Sequence, residues 1–324
     1  MPYTVYLLKR YNLDTFATTQ KNMKIFATVV TYNRLTLLQQ CIEHLRSQTR
    51  KPDAIIVINN GSTDNTLAWL REQTDLIVVT QENTGSAGGE YTAAKTAYEM
   101  GADYVWMMDD DCIPELDALE YLTNFLDRSE LHGKAVVGCL VCSNQEENKL
   151  SFPLTEYPSS ITYFKPSEIK EKEAIRTLFF TFLGILIPKE AIRKIGYPDP
   201  RYFIRCDDIE YAVRLKKLNF PIYIVTRSIA RHPRPQYVHL KMLGVELLFT
   251  NDDSKKIFYG LRNSTHLLKK HTHPIAFIGK HLPKQLLLAT YKAIAIDKSL
   301  KSFFIYLKAI VHGLTNRLGK VEFK

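Results

Sequence analysis

Four apolar, β-branched runs constrain this chain more than any other feature, because each breaks off in a short polar loop and gives way to helical spacing. Lys24 to Thr31 ends in Thr31-Tyr32-Asn33-Arg34, after which Leu35, Leu38, Ile42 and Leu45 recur at helical intervals. Ala54 to Ile58 ends in Asn59-Asn60-Gly61-Ser62-Thr63-Asp64, a turn that passes into a helix capped by Ser62 or Asp64. Leu76 to Thr80 leads into Asn83 to Gly89 and a helix through Met100, and Tyr104 to Met108 leads into Asp109-Asp110-Asp111. Such alternation predicts an α/β chain with a doubly wound, mostly parallel sheet, and it lines up four polar loops at the carboxyl ends of the strands.

The carboxylate trio is the chemically loaded loop. Consecutive like charges repel unless a cation, a substrate hydroxyl or a proton sits among them. Oxygen ligands at a strand end suit Mg²⁺ or Mn²⁺ bridging a diphosphate. The glycine loop, Gly85-Ser86-Ala87-Gly88-Gly89, fits neither the dinucleotide fingerprint nor a Walker loop, so by itself it marks an anion cradle or a close helix approach.

Beyond the trio the alternation loosens. Ala135 to Val141, Ile161 to Phe164, Leu178 to Ile187 and Ile222 to Val225 read as strands, the third interrupted by Gly184 where a side chain would obstruct an approaching group. Lys189 to Ile195 reads as a helix. A second acidic cluster, Asp207-Asp208-Ile209-Glu210-Tyr211, opens another helix, whose dipole favours the charged carboxylates. Capping accounts for one Asp but not for the pair. His232 follows the last of these strands.

In that order and spacing, the loops after the first four strands, Gly184, Asp207-Asp208-Ile209-Glu210 and His232 together resemble the inverting family 2 glycosyltransferases of the GT-A fold, over roughly Lys24 to Pro235. Trp106 to Asp111 and the Asp207 to Tyr211 segment are similar to the bacterial galactofuranosyltransferase branch. The resemblance implies a nucleotide-diphospho-sugar transferase with Thr31, Asn59 and Asn60 lining the nucleotide pocket. It also implies Asn33, Arg34, Asn83, Gly85 and Gly88 beside the donor, and Asp110 near the ribose or donor sugar. Asp109, Asp111 and His232 would hold Mn²⁺ or Mg²⁺, and Asp208 would be the catalytic base. The implied donor is a nucleotide sugar, UDP-galactofuranose or a rhamnose equivalent, and the implied acceptor a lipid-linked or polysaccharide chain of a bacterial cell surface. Two positions depart from the pattern: Asn59 stands where many members carry Asp, and Cys206 where the branch carries Trp.

Charge divides the chain. From Ser254 onward fourteen basic residues face two acids, Asp297 and Glu322, in a chain whose formal charge is +9. Phe303, Leu307, Ile310, Val311, Leu314 and Leu318 draw an apolar helical stripe, and Gln285 to Ile296 a second apolar helix. This basic amphipathic pair suits an anionic membrane surface, with packing on its own core or on a second subunit as the plain alternative. No stretch reaches the ~20 apolar residues that span a bilayer. The expected organisation is an N-terminal extension (1–22), a glycosyltransferase domain (23–250) and a basic helical tail (251–324). Five scattered cysteines argue for a reducing compartment, and the expected place is cytoplasmic, at the inner face of the cell membrane. No nucleic-acid partner is expected, and a homo-oligomer stays open. A metal-dependent nucleotide-sugar hydrolase could use the same carboxylates, whereas a non-catalytic binding module would leave them unexplained.

Overall fold

The computed structural model describes residues 23–242, 245–250 and 252–323; the expected extension, 1–22, lies outside the described residues. The first half follows the sequence pattern: β1 (Ile25–Thr31), α1 (Leu35–Arg46), β2 (Ala54–Asn59), α2 (Thr66–Arg71), β3 (Leu76–Thr80), α3 (Gly85–Glu99) and β4 (Tyr104–Asp109). These strands pair in parallel in the order β3-β2-β1-β4. Both sheet faces are covered, so alternate residues feed two separate cores. Ile25, Ala27, Val29, Tyr104, Trp106 and Met108 go to one, and Phe26, Val30, Val105 and Met107 to the other.

β5 (Ile113–Pro114), α4 (Ala118–Arg128), β6 (Val136–Ser143), the short pair β7 (Leu154–Thr155) and β8 (Thr162–Tyr163), β9 (Ala174–Thr177), β10 (Leu183–Pro188), α5 (Lys189–Ile195), α6 (Asp207–Lys217) and β11 (Ile222–His232) complete the sheet region. β10 inserts antiparallel between β4 and β6, so the sheet is mixed though largely parallel. Gly184 sits in the bulge of β10 at φ +76°, and a Cβ there would stand 2.8 Å from Cys139 Sγ. The approaching group is therefore a core side chain of β6.

β11 runs well past the expected end at Val225. The Thr226 hydroxyl donates to Glu173 O at 3.1 Å and Ser228 Oγ to Ala118 O at 2.9 Å. A register shift between Val225 and Ile229 absorbs the polar stretch. His232 is thereby a strand residue paired with Ser143.

After the hairpin β12 (Tyr237–Met242) and β13 (Val245–Thr250) comes a distinct helical bundle: α7 (Ser254–His271), α8 (Pro274–Ala276), α9 (Leu282–Tyr291) and α10 (Leu300–Leu314). α10 buries Tyr306, Ala309, Ile310 and Gly313, and a Cβ on Gly313 would lie 2.5 Å from Arg262 O of α7. Two of the cations counted toward a basic surface are internal instead. Arg262 is fully buried, and Lys292 pairs with Asp297. Among the described residues no helix is long and apolar enough to cross a membrane.

Gly85 and Gly101 both lie at positive φ, but only Gly85 has a neighbour. A Cβ on Gly85 would stand 2.0 Å from Phe203 O, while one on Gly101 meets nothing within 4 Å. Gly101→Ala should therefore carry only the left-handed backbone penalty, roughly 1–2 kcal/mol. Gly85→Ala must also displace the Phe203 loop, so urea denaturation should find it distinctly the less stable of the two.

Candidate active site

β4 delivers Asp109 at its last residue and Asp110 and Asp111 into the loop. Thr31, at the end of β1, donates from Oγ1 to Asp110 Oδ2 at 2.7 Å. Arg34 Nη1 bridges Asp110 and Asp111, 3.2 Å from Asp110 Oδ1 and 2.6 Å from Asp111 Oδ2. Burial raises Asp110 to about 6 against the pull of Arg34 and Thr31. Burial also acts on Asp111, but His232 and Arg34 outweigh it and hold that carboxyl below its ordinary value. Asp109 is pushed well above the ordinary range by burial, then by Asp111, Asp110 and Asp207, with Arg34 opposing.

His232 Nε2 lies 3.4 Å from Asp111 Oδ1. That oxygen and His232 Nδ1 are buried without a hydrogen-bond partner. A carboxylate oxygen beside an imidazole nitrogen is a donor set that fits Mn²⁺, or less readily Mg²⁺. Among the described residues, however, no set of three or more His, Cys, Asp and Glu side chains forms a metal cluster. The pair Asp111 and His232 is assembled, and Asp109 does not join it in a three-ligand group. Arg34 instead provides the positive charge among the carboxylates.

The remaining sequence candidates build the loops. Asn33, at φ +54°, receives a hydrogen bond at Oδ1 from Thr63 N at 2.7 Å, which ties the loop after β1 to that after β2. Asn59 Oδ1 accepts from Ser62 N at 3.1 Å. Asn60 Nδ2 donates to Gly85 O at 2.9 Å and its Oδ1 accepts from Thr84 N at 3.2 Å, while Asn83 Oδ1 accepts from Gly85 N at 2.9 Å. Gly88 admits the Thr84 hydroxyl, since a Cβ there would lie 2.2 Å from Oγ1. These side chains fix the shape of the loops; Asn59 and Asn60 are almost wholly buried.

α6 begins from a strained loop. Phe203, Arg205 and Cys206 all have positive φ, at +66°, +69° and +62°. Phe203 O accepts from Ala87 N at 3.1 Å, which docks the loop on the glycine-rich start of α3. From the other side, α7 holds it. Asn263 Nδ2 lies 2.9 Å from Tyr202 O, 2.9 Å from Ile204 O and 2.8 Å from Arg205 O, and Arg262 Nη2 donates to Tyr202 O at 2.8 Å. Asp207 and Asp208 follow directly. Asp208 Oδ1 accepts from Ile209 N at 2.7 Å and is half-buried, whereas Asp207 is only 6% exposed. Burial raises both carboxyl groups, and Asp208 raises Asp207 further. Glu210 turns inward to Arg214 and Lys270 and belongs to the framework.

A cavity of about 990 Å³ joins these parts; Arg34, Asp109, Asp207, Asp208 and His232 are on its wall. Arg262, Asn263 and Glu90 escaped the sequence reading. The first two looked like a tail cation and its neighbour, and Glu90 like an ordinary helix residue.

Residues 27–196 match the family "Glycosyl transferase family 2". The chain belongs to that family. Family membership and the shared fold make it a glycosyltransferase, transferring sugar from a nucleotide sugar to an acceptor. It is 27% identical to galactofuranosyltransferase GlfT1 of Mycolicibacterium smegmatis, over 76% of this chain and 83% of that protein. Identity is 22% to the O-antigen chain rhamnosyltransferase RfbN of Salmonella typhimurium, over 69% of this chain and 72% of that one. The fold resembles S. aureus TarS (residues 1–349), with a TM-score of 0.56 at 14% identity over 91% of this chain and 82% of that chain. It also resembles GalNAc-T7 with UDP, GalNAc and Mn²⁺, with a TM-score of 0.56 at 12% identity over 92% of this chain and 58% of that one.

Because burial raises the folded-state values of Asp109, Asp207 and Asp208 above the unfolded value of about 3.9, their contribution to stability is complete below that value and is lost as pH rises through the folded values. The ligand-free glycosyltransferase should thus lose stability between about pH 4 and 7. Asp207→Asn should flatten part of that loss, as read from melting temperature against pH.

The clamp on the α6 loop gives a second expectation. Asn263→Ala leaves buried carbonyl oxygens unpaired and should cost about 1–3 kcal/mol in a denaturant titration.

Proposed function

We propose that this glycosyltransferase moves a hexose with inversion from a UDP-linked donor, with UDP-galactofuranose the first to test, onto a lipid-linked or polysaccharide acceptor. The observation that carries the reading is the single cavity that has the β4 carboxylate Asp109, Arg34 and His232 on its wall together with Asp208. The galactofuranosyltransferase relatives support the sugar, and the rhamnosyltransferase relative makes rhamnose the second choice.

Asp208 takes the proton of the acceptor hydroxyl as its oxygen bonds to the anomeric carbon. The bond to the diphosphate breaks on the opposite face, and its electron pair leaves with the nucleoside diphosphate. One displacement inverts the configuration. A divalent ion held by Asp111 and His232, with Asp109 nearby, would neutralise the charge on the leaving group. Arg34 is about half exposed and long enough to exchange a carboxylate for a phosphate. On the acceptor side, Phe179, Phe182, Ile204, Leu261 and Leu288 make the cavity wall apolar, which suits an acceptor with a lipid portion.

A membrane-facing role for the bundle draws on its outer surface. Leu300, Phe304, Leu307 and Val311 recur at helical spacing on α10 and are 73%, 64%, 38% and 46% exposed. Lys301 and Lys308 are exposed on the same helix, and Ile275 and Ile278, ahead of α9, are exposed as well. An apolar stripe with cations beside it suits the head-group region of an anionic leaflet, at the inner face of the cell membrane.

Asp208→Asn should keep donor binding and lose transfer by ~10²- to 10⁴-fold, while Asp207→Asn should lose far less. Turnover at saturating donor in both variants, with binding checked by calorimetry, decides between them. Near-normal turnover in Asp208→Asn sinks the assignment, and release of free sugar at a rate indifferent to acceptor makes the protein a hydrolase. Since only ionised Asp208 accepts the proton, transfer should rise with pH, its acid limb lying above the ordinary Asp value of about 3.9.

For the membrane, Phe304→Ser with Leu307→Ser should weaken sedimentation with phosphatidylglycerol vesicles without unfolding the bundle, and added salt should weaken it further. Unchanged sedimentation would return the stripe to a protein contact.

A further inference from the structure

Glu90 stands on α3 five residues beyond Gly85, and shares a helix face with Ser86, four residues earlier. Both line the main cavity. The carboxyl group is 1% exposed, yet neither Oε1 nor Oε2 has a hydrogen-bond partner. A buried carboxyl normally finds a cation or donors, because desolvation without them is costly. The charged groups that act on it are instead Asp109, Asp207 and Asp208, all acids. Among the described residues nothing bonds to this group. Burying it there without a partner destabilises the chain, as expected of a group kept for a ligand.

Its position says which part of a ligand. Asn60 and Asn83 fix the start of α3 against the loop after β2, so one end of the helix belongs to the nucleotide side. Phe203, docked on Ala87, brings the α6 loop and Asp208 to its other flank. On the proposed reading, the transferred sugar ring would lie between the β4 carboxylates, on the diphosphate side, and Asp208, on the acceptor side. A polyol ring offers hydroxyl donors, which two unpartnered carboxyl oxygens can accept.

We propose that Glu90 is the residue that reads the donor sugar, accepting hydrogen bonds from hydroxyls of the transferred hexose and so setting which sugar is bound. This rests on the donor reading above. Asp208 and Asp109 are excluded from the role by the proton transfer and by the leaving group. Arg34, a cation reaching toward the carboxylates from the β1 loop, serves the phosphates instead.

The test compares full-length wild type, Glu90→Gln and Glu90→Ala by calorimetry with Mn²⁺ present. The probes are UDP and dTDP alone, then UDP-galactofuranose, UDP-galactopyranose, UDP-glucose and dTDP-rhamnose. In wild type, one sugar nucleotide should bind more tightly than its bare nucleotide. Glu90→Ala should erase ~10- to 100-fold of that excess and leave the bare nucleotide unchanged. Glu90→Gln, which keeps the shape and one acceptor oxygen, should fall between, with the preference among sugars narrowed. In turnover assays the donor KM should rise more than kcat falls.

Wild-type excess retained in Glu90→Gln and Glu90→Ala overturns the proposal while leaving the donor reading intact. An equal loss for bare nucleotide and sugar nucleotide also overturns it, since Glu90 would then shape the nucleotide pocket. Should Glu90→Ala fail to fold, Glu90→Gln decides alone. If wild type binds the bare nucleotides but gains nothing from any sugar, the donor reading itself falls, and this inference with it.

Discussion

The site depends on the grip of α7 on the loop from Tyr202 to Cys206. Left-handed backbone at Phe203, Arg205 and Cys206 is costly for residues with a Cβ, of order 1–3 kcal/mol each. The loop persists because Asn263 and Arg262 take its carbonyl oxygens on one side and Ala87 takes Phe203 O on the other. Those hydrogen bonds turn a strained connection into a fixed one, and α6 leaves it with Asp207 and Asp208 at the cavity. A C-terminal bundle that could have been an appendage is thus part of the active-site framework.

The second constraint is electrostatic. Asp109, Asp207, Asp208 and Glu90 crowd one region; burial pushes all four upward, and neighbouring carboxyl groups add to it at Asp109, Asp207 and Glu90. Arg34 pairs directly with Asp110 and Asp111 and opposes the rise at Asp109 only from a distance. Such an arrangement stores unfavourable charge that a bound cation or hydroxyl-bearing ligand relieves. It is a common consequence of building a site for phosphate and sugar chemistry, where stability is given up for function.

The bundle also shows how burial redistributes charge. Arg262 lies wholly inside, with its pKa lowered to about 10 by burial, because its guanidinium binds the carbonyl oxygens of Tyr202 and Gly319. The face that α10 turns outward is instead the apolar one of Leu300, Phe304, Leu307 and Val311. Amphipathic spacing identified the helix, but the stripe read from it is split: Ile310 packs inward while Leu307 and Val311 face out. Tyr306, Ala309, Ile310 and Gly313 take the inward place because the small residues let α10 approach α7 closely.

Local pattern determined much of this protein. Continuous apolar runs set β1 to β4, their polar ends named the loops, and the order of short motifs identified the family and marked Asp109 to Asp111 and Asp207-Asp208. These signals are local: a strand, a turn or a helix start is encoded within a few residues. Tertiary structure decided what depends on distant partners. It extended β11 to His232 by satisfying Thr226 and Ser228 from neighbouring segments, and paired His232 with Asp111 without Asp109. It also put Arg262 and Asn263 under the loop before α6 and left Glu90 buried without a partner. A side chain's burial and hydrogen bonds are set by residues far away in the chain, so no window of sequence around Glu90 or Asn263 carries that information.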